Sequence, residues 1–394
     1  VLVAATRRTE MVRADDALDE LVTDLRRRNL LTAIDLTPLD RAATITLARQ
    51  VVGRELDRST ADQIYAETEG VPLFVVEFMR AGLSLPVNVT SNGLAILPPM
   101  VQAAVTTRLA QLSDAARQTL EVAAVVGREF TFGVLAAVSG LAEDTLVQAL
   151  DELWQRQIIR EQGREAYNFS HDKLRQVVYA QLSGLRRRRL HRTVAETLAA
   201  SAVDQVERIS GQIGWHFEQA GVDQAAAHWL LRAGEAAVQV GALAEAAGYF
   251  NRALALTAET DRAGRYRVLL AREKLYHVQA ERDKQAHDLA ELEELSMALN
   301  DPTLQATVAI ERGHYCLEVS NFPLAVQLAQ TALKIIEQAR TPDLPVELAR
   351  LEFEANYLWG AVFICQGQAV AARDQMKQAL ALARANGLRR EQAR

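Results

Sequence analysis

A chain of 394 residues exceeds one ordinary hydrophobic core, so two or three domains are expected. A formal charge of -6 gives no global reason for nucleic-acid binding, and 49% hydrophobic residues exclude a disordered chain. Two isolated cysteines, Cys316 and Cys365, exclude a disulfide scaffold and predict a reducing, cytoplasmic setting; no uncharged apolar run reaches membrane-spanning length, and the N-terminus lacks a signal-peptide layout.

The chain opens on Val1-Leu2-Val3-Ala4-Ala5-Thr6, a continuous apolar run of the kind buried in a parallel sheet, and Arg7 and Arg8 follow. A buried central strand is an unusual first element, and the chain stops directly after a helix, so a fragment cut at both ends is expected. A helix over Asp16–Arg28 carries Leu18, Leu21 and Leu25 on one face, and Ala33-Ile34-Asp35-Leu36 reads as a short strand. Helices are predicted near Arg41–Val52 and Ser59–Glu69. Gly70-Val71-Pro72 then breaks the chain, with Gly70 suited to a helix C-cap and Pro72 to the first turn of a helix bearing Leu73, Phe74, Val76 and Phe78.

Residues 81–93 are rich in Gly, Ser, Pro and Asn and read as a linker. Helices are predicted near Val101–Leu112, Ser113–Val126, Phe132–Val138 and Glu143–Arg156. A hairpin follows, with strands at Ile158-Ile159-Arg160 and Tyr167-Asn168-Phe169 around Gly163. Helices followed by a small hairpin make a winged helix. In Phe169-Ser170-His171-Asp172, Ser170 or Asp172 can cap a helix whose apolar residues are Leu174, Val177 and Val178. His171 then sits at a strand-to-helix corner beside free backbone N–H groups, where a histidine binds a phosphate or closes a turn.

After Arg186 every segment reads as helix, and after Val203 the chain repeats. Gly234, Ala246, Phe250 and Ala253 stand at offsets 0, 12, 16 and 19; Gly313, Ala325, Ala329 and Ala332 repeat them, as do Gly360, Ala372, Met376 and Ala379. Small residues at these places let two antiparallel helices approach, and the bulkier position fills the gap: the tetratricopeptide pattern. Between them, Arg262–Leu299 keeps Ala286 and Ala290 but has Lys274 and Glu293 at the other positions, and reads as degenerate. Gly214, Ala226, Leu230 and Ala233 also match but overlap the Gly234 set, so the later phase is expected to hold alone.

The order of four features resembles the STAND class of AAA-like signalling ATPases, large bacterial regulators joined to DNA-binding, cyclase or kinase effectors. These features are a strand with Thr6-Arg7-Arg8, Gly70-Val71-Pro72, a winged helix ending in Phe169-Ser170-His171-Asp172, and helical repeats. The resemblance implies a mainly α chain. Residues 1–36 would end an α/β P-loop ATPase core, 37–83 form its helical lid, 84–96 a linker, 97–184 the winged-helix domain and 185–394 a tetratricopeptide-like α-solenoid. It implies ATP or ADP with Mg²⁺ as cofactor. Arg7 takes the place of the family's sensor arginine for the γ-phosphate, and Pro72, set up by Gly70, that of the proline packed on the adenine. His171 takes the place of the histidine that reaches the ADP β-phosphate, and Asp172 would orient that corner. Their alternatives are a solvated strand end for Arg7, a first-turn residue for Pro72 and a turn cap for His171.

No Gly-x-x-x-x-Gly-Lys-[Ser/Thr] occurs in the sequence, and no strand ends in paired acidic residues, so this stretch by itself is expected to be inactive as an ATPase. The seven histidines show no metal-ligand spacing. Glu143, Asp144, Asp151 and Glu152 on the best recognition-helix candidate oppose DNA binding, and Arg186–Arg189 is the one basic cluster, opening a helix with Leu190, Val194 and Leu198. The expected function is an ATP/ADP-controlled signalling or transcriptional switch. Its arm would sense a protein, a peptide or a small inducer, and the active state would self-assemble. The alternatives are a passive tetratricopeptide scaffold with an inert ATPase remnant and, third, DNA binding through the winged helix.

Overall fold

The computed structural model describes residues 24–28, 31, 36–80, 106, 109–163, 166–201, 206–340 and 346–387. Arg7, the expected first strand, most of the first helix and second strand, the linker and about half of the helix expected near Val101–Leu112 lie outside the described residues. The chain divides into two compact units, 1–201 and 202–394. No helix among the described residues is long and apolar enough to cross a membrane.

In the first unit, three helices form a small module: α1 (Arg41–Val52), α2 (Arg58–Thr68) and α3 (Pro72–Arg80). Asp40 caps α1 by accepting from the Ala43 N–H at 2.8 Å, and Asp57 caps α2 by accepting from Thr60 at 2.9 Å. Ala48, Ile64 and Val75 supply one buried residue per helix, with Leu47, Leu56 and Met79 packed around them. The C-cap of α2 is Glu69, not Gly70 as the sequence suggests. Glu69 and Gly70 both adopt left-handed backbone, at φ 50° and 72°, before Pro72 starts α3.

The second part of this unit runs α4 (Asp114–Val126), β1 (Glu129–Thr131), α5 (Phe132–Ser139), α6 (Glu143–Gln155), β2 (Ile159–Gln162), β3 (Ala166–Phe169), α7 (Asp172–Gln181) and α8 (Gly184–Ser201). The strands form an antiparallel sheet of order β1-β3-β2. Sequence reading misses β1, because three residues with one buried side chain carry no periodic signal. Its Phe130 pairs with Tyr167 and packs edge-on against Phe169. Ser113 caps α4 and also binds the Glu152 carboxylate through its hydroxyl at 2.6 Å, tying α4 to α6. In α8 two of the four arginines are engaged: Arg186 with Glu121 at 2.5 Å, and Arg187 with the Tyr179 and Leu182 carbonyls. Arg188 and Arg189 are exposed.

The second unit is a helical repeat. Among its described residues it comprises α9 (Val206–Ala220), α10 (Asp223–Gln239), α11 (Leu243–Leu256), α12 (Arg262–Gln279), α13 (Arg282–Leu299), α14 (Pro302–Glu318), α15 (Phe322–Gln338), α16 (Val346–Cys365) and α17 (Ala369–Ala385). A Cβ on Gly234 would stand 2.3 Å from the Phe250 ring, and one on Gly360 3.0 Å from Met376 Cε, so glycine at these places sets the helix separation. At Gly313 the filler comes from elsewhere: position 329 is alanine, and Leu358 of α16 lies 2.4 Å from the same point.

Two expectations for the repeats are overturned. The Gly214 and Gly234 sets both hold, because a Cβ on Gly214 would lie 2.9 Å from Leu230; α10 is the second helix of one pair and the first of the next. The degenerate pair is shifted by one residue. In every other pair a left-handed residue stands seven positions after the glycine: Gly221, Gly241, Ser320 and Gly367 follow Gly214, Gly234, Gly313 and Gly360. The left-handed residue after α12 is Ala280, which makes Glu273, not Lys274, the equivalent position. Glu273, Gln285, Leu289 and Leu292 are buried there, while Ala290 is exposed.

Candidate functional site

The turn Glu67–Pro72 and the corner Phe169–Lys173 meet. The first turn of α7 presents backbone N–H groups with no partner inside the helix, as every helix N-terminus does. His171 occupies the N-cap position but makes no side-chain cap. Ser170 does not cap either; its hydroxyl donates to the Gln157 carbonyl at 2.6 Å and the Ile158 carbonyl at 3.1 Å, which fixes the end of the hairpin. The cap comes from another module. The Glu69 carboxylate accepts from His171 Nδ1 at 3.0 Å, the Asp172 backbone N–H adds a weaker stabilisation, and Arg128 Nη2 stands 3.8 Å away. A negative charge there also suits the positive end of the helix dipole.

A second pair lies beside it. Lys173, with a side chain only 8% exposed, reaches Glu67 and also donates to Gln176 at 3.3 Å. Phe74 packs edge-on against the His171 ring, 6.4 Å between centroids. Two carboxylates on one short turn thus face His171, Lys173 and Arg128. The His171 hydrogen bond chiefly, with the charges of His171 and Arg128 and the Asp172 N–H, holds the Glu69 carboxyl below its usual range, against an opposing effect of burial.

Gly70 fixes this turn. Its carbonyl accepts from Leu39 N–H at 2.8 Å, and a Cβ on it would fall 2.0 Å from the Leu39 carbonyl oxygen. Pro72 is exposed on the first turn of α3. Asp172 binds Arg175 at 3.0 Å and Gln176 at 2.7 Å within its own helix, and its backbone, not its carboxylate, takes part in the corner. So Gly70, His171 and the Asp172 backbone converge, Pro72 lies one turn on, and Arg7 lies outside the described residues. Sequence reasoning misses Glu67, Glu69, Arg128 and Lys173. Their only signal in the sequence is opposite charge beside the two motifs, in Glu67-Thr68-Glu69-Gly70 and His171-Asp172-Lys173.

The lowered Glu69 pKa has a signed consequence. Its contribution is fully present above the ordinary carboxylate range and is lost as pH falls through the lowered value. Amide exchange at the start of α7 should therefore accelerate below about pH 4.5, the ordinary pKa of a glutamate. Glu69→Gln should weaken protection there at neutral pH and remove the acid dependence, since a charge-assisted hydrogen bond contributes on the order of 1.5–3 kcal/mol.

No family model matches the chain. An uncharacterised protein of Rhizobium meliloti strain 1021 is 27% identical over 253 residues, 60% of this chain, and the match covers 24% of that protein. The chain thus spans about a quarter of the length of this relative. Among solved structures, a Signal Transduction ATPase with Numerous Domains (STAND) protein with a tetratricopeptide repeat sensor, from Pyrococcus horikoshii, overlays on 92% of this chain and 56% of its own, at 15% identity and a TM-score of 0.37. Aspartyl phosphate phosphatase F of Bacillus subtilis overlays on 90% and 78%, at 11% identity and a TM-score of 0.42. The apo form of RapI gives 87% and 76%, 11% and 0.39.

Proposed function

We propose that the chain belongs to an ATP/ADP-controlled signalling switch, in which residues 37–83 act as the nucleotide lid, 97–184 as a winged helix and the repeats as the sensing arm. The observation that carries this reading is the Glu69–His171 contact. It joins the Gly-x-Pro turn to the Phe-Ser-His-Asp corner, two motifs that the resemblance assigns to one nucleotide. The helix–strand–helix–helix–hairpin order around β1, β2 and β3 supports the winged-helix reading. In this scheme ADP with Mg²⁺ bridges core, lid and winged helix, Arg7 senses the γ-phosphate, Pro72 walls the adenine and His171 reaches the β-phosphate. A signal at the arm favours exchange for ATP and release. The output, a transcription factor, a cyclase or a kinase, lies with the effector. A full population reversal needs the two nucleotides to differ by about 5.5 kcal/mol between states.

The test is His171→Ala in the full-length protein. ADP retention should fall and basal effector output should rise; a variant with wild-type ADP retention and output overturns the role of His171. Residues 1–394 alone should show no micromolar ATP binding by calorimetry, and finding it overturns the expectation that the main phosphate contacts lie outside this stretch.

A second reading, a protein-binding scaffold, is favoured by a cavity of about 460 Å³ on the first helices α12, α14 and α16, lined by Tyr266, Lys274, Glu311, His314, Arg350 and Glu354 among others. Under it, nucleotide would leave partner binding to the arm unchanged.

A further inference from the structure

Four pairs of the repeat arm have glycine at the equivalent position, where a Cβ would overlap a neighbouring side chain; the α12–α13 pair has Glu273 there. The residue is 1% exposed. Its partner on α13 is Gln285, fully buried at the position that holds Ala246, Ala325 and Ala372 in other pairs. Gln285 Nε2 donates to Glu273 Oε1 at 2.8 Å, and among the described residues Oε2 has no hydrogen-bond partner. Where the other pairs have glycine and alanine at these two positions, this pair has a buried carboxyl–amide contact with one oxygen unsatisfied.

The charges facing Glu273 do not neutralise it. On its own helix, Arg272 is held by Asp288 of α13 through two contacts of 2.7 and 2.8 Å, and Lys274 points toward Glu311 of α14 at 3.6 Å. His277 Nδ1 lies 3.2 Å from Glu318 of α14. Asp288 and Glu311 are carboxylates themselves. An ionised carboxylate here would be desolvated, short of one hydrogen bond and close to two like charges; a protonated one would keep the Gln285 contact at far lower cost.

We propose that the α12–α13 pair is a proton-controlled joint in the repeat arm, closed when Glu273 is protonated and loosened when it ionises. Burial first, then Glu311, raises the Glu273 pKa to about 7, with Gln285 and Lys274 pulling the other way. The sign follows from linkage: the open state holds the glutamate at its ordinary pKa, so protonation favours the closed state. That advantage is fully present below about pH 4.5 and is lost as pH rises to about 7, above which it is absent. The window ends within the cellular pH range, so a pH change there alters the opening of this pair. The inference stands on the repeat geometry and does not depend on the nucleotide reading.

Amide hydrogen exchange on the whole chain tests it, with rates corrected for the intrinsic pH dependence of exchange. In the wild type the opening constant of α12–α13 should rise roughly tenfold between pH 6 and pH 8. The α16–α17 pair, which has no histidine, should stay flat. Glu273→Gln keeps the shape and removes the charge, and should abolish the slope. Glu273→Gly, which restores the residue of the other pairs, should do the same. A flat wild-type profile, or an unchanged slope in both variants, overturns the joint.

Discussion

Gly70→Ala should unfold the 36–80 module, while Gly53→Ala leaves it folded. Both glycines have left-handed backbone, at φ 72° and 71°. An L side chain in that region costs roughly 1–2 kcal/mol. At Gly53 nothing lies within 4 Å of the new Cβ, so that is the whole penalty. At Gly70 the Cβ would fall 2.0 Å from the Leu39 carbonyl oxygen, which is backbone and has no rotamer to escape into. The turn must move, the Leu39–Gly70 hydrogen bond breaks, and Glu69 leaves the α7 N-terminus. A loss above about 3 kcal/mol is expected, in the range typical of steric overlap and broken buried networks. Urea unfolding read by exchange at α1–α3 distinguishes the two variants, and equal losses would show that the close approach is not rigid. Exchange at α7 should rise with the Gly70 variant alone, because the carboxylate cap comes from that turn.

Phe250→Ala should be the most damaging single substitution in the arm. The ring is 1% exposed and packs with Ala237, Ala246 and Leu275 in the α10–α11–α12 layer. Truncating a buried phenylalanine costs about 3–5 kcal/mol. Gly234→Ala alone should cost about 1–3 kcal/mol, since its Cβ would lie 2.3 Å from the same ring. The two should not add. With the ring gone, the methyl group at 234 occupies vacated space, so the double variant should be less damaged than the sum of the two by at least about 0.5 kcal/mol. Thermal unfolding of the four members of this cycle gives the coupling, and strict additivity would mean that the glycine does not set the spacing. The corresponding cycle at Gly313 must use Leu358, because residue 329 is alanine and the filler crosses from α16.

The buried Glu273 shows why repeat phase is only partly legible in a sequence. Alanine marks close packing where another helix lies against it. The fixed offsets seize on Ala286 and Ala290 because they are small, yet Ala290 faces outward. The true phase, Glu273-Gln285-Leu289-Leu292, contains no small residue and becomes visible only through the left-handed turn at Ala280. The Gly214 and Gly234 sets overlap without conflict for a related reason: a helix in a solenoid has two faces, and α10 uses one for α9 and the other for α11.

By itself the sequence determined the helices between Arg41 and Arg80 and between Asp114 and Ser201, the hairpin, the three regular repeat pairs and the two motifs of the candidate site. Each rests on spacing within a few turns, on a cap or on a breaker, and such signals act over neighbouring residues. Tertiary structure alone decided what those motifs touch. Glu69 meets His171 across 102 residues of chain and Lys173 meets Glu67 across 106. No local preference selects such pairs; Gly70, pinned against Leu39, sets the turn that brings Glu69 to the N-terminus of α7, where its carboxylate meets His171.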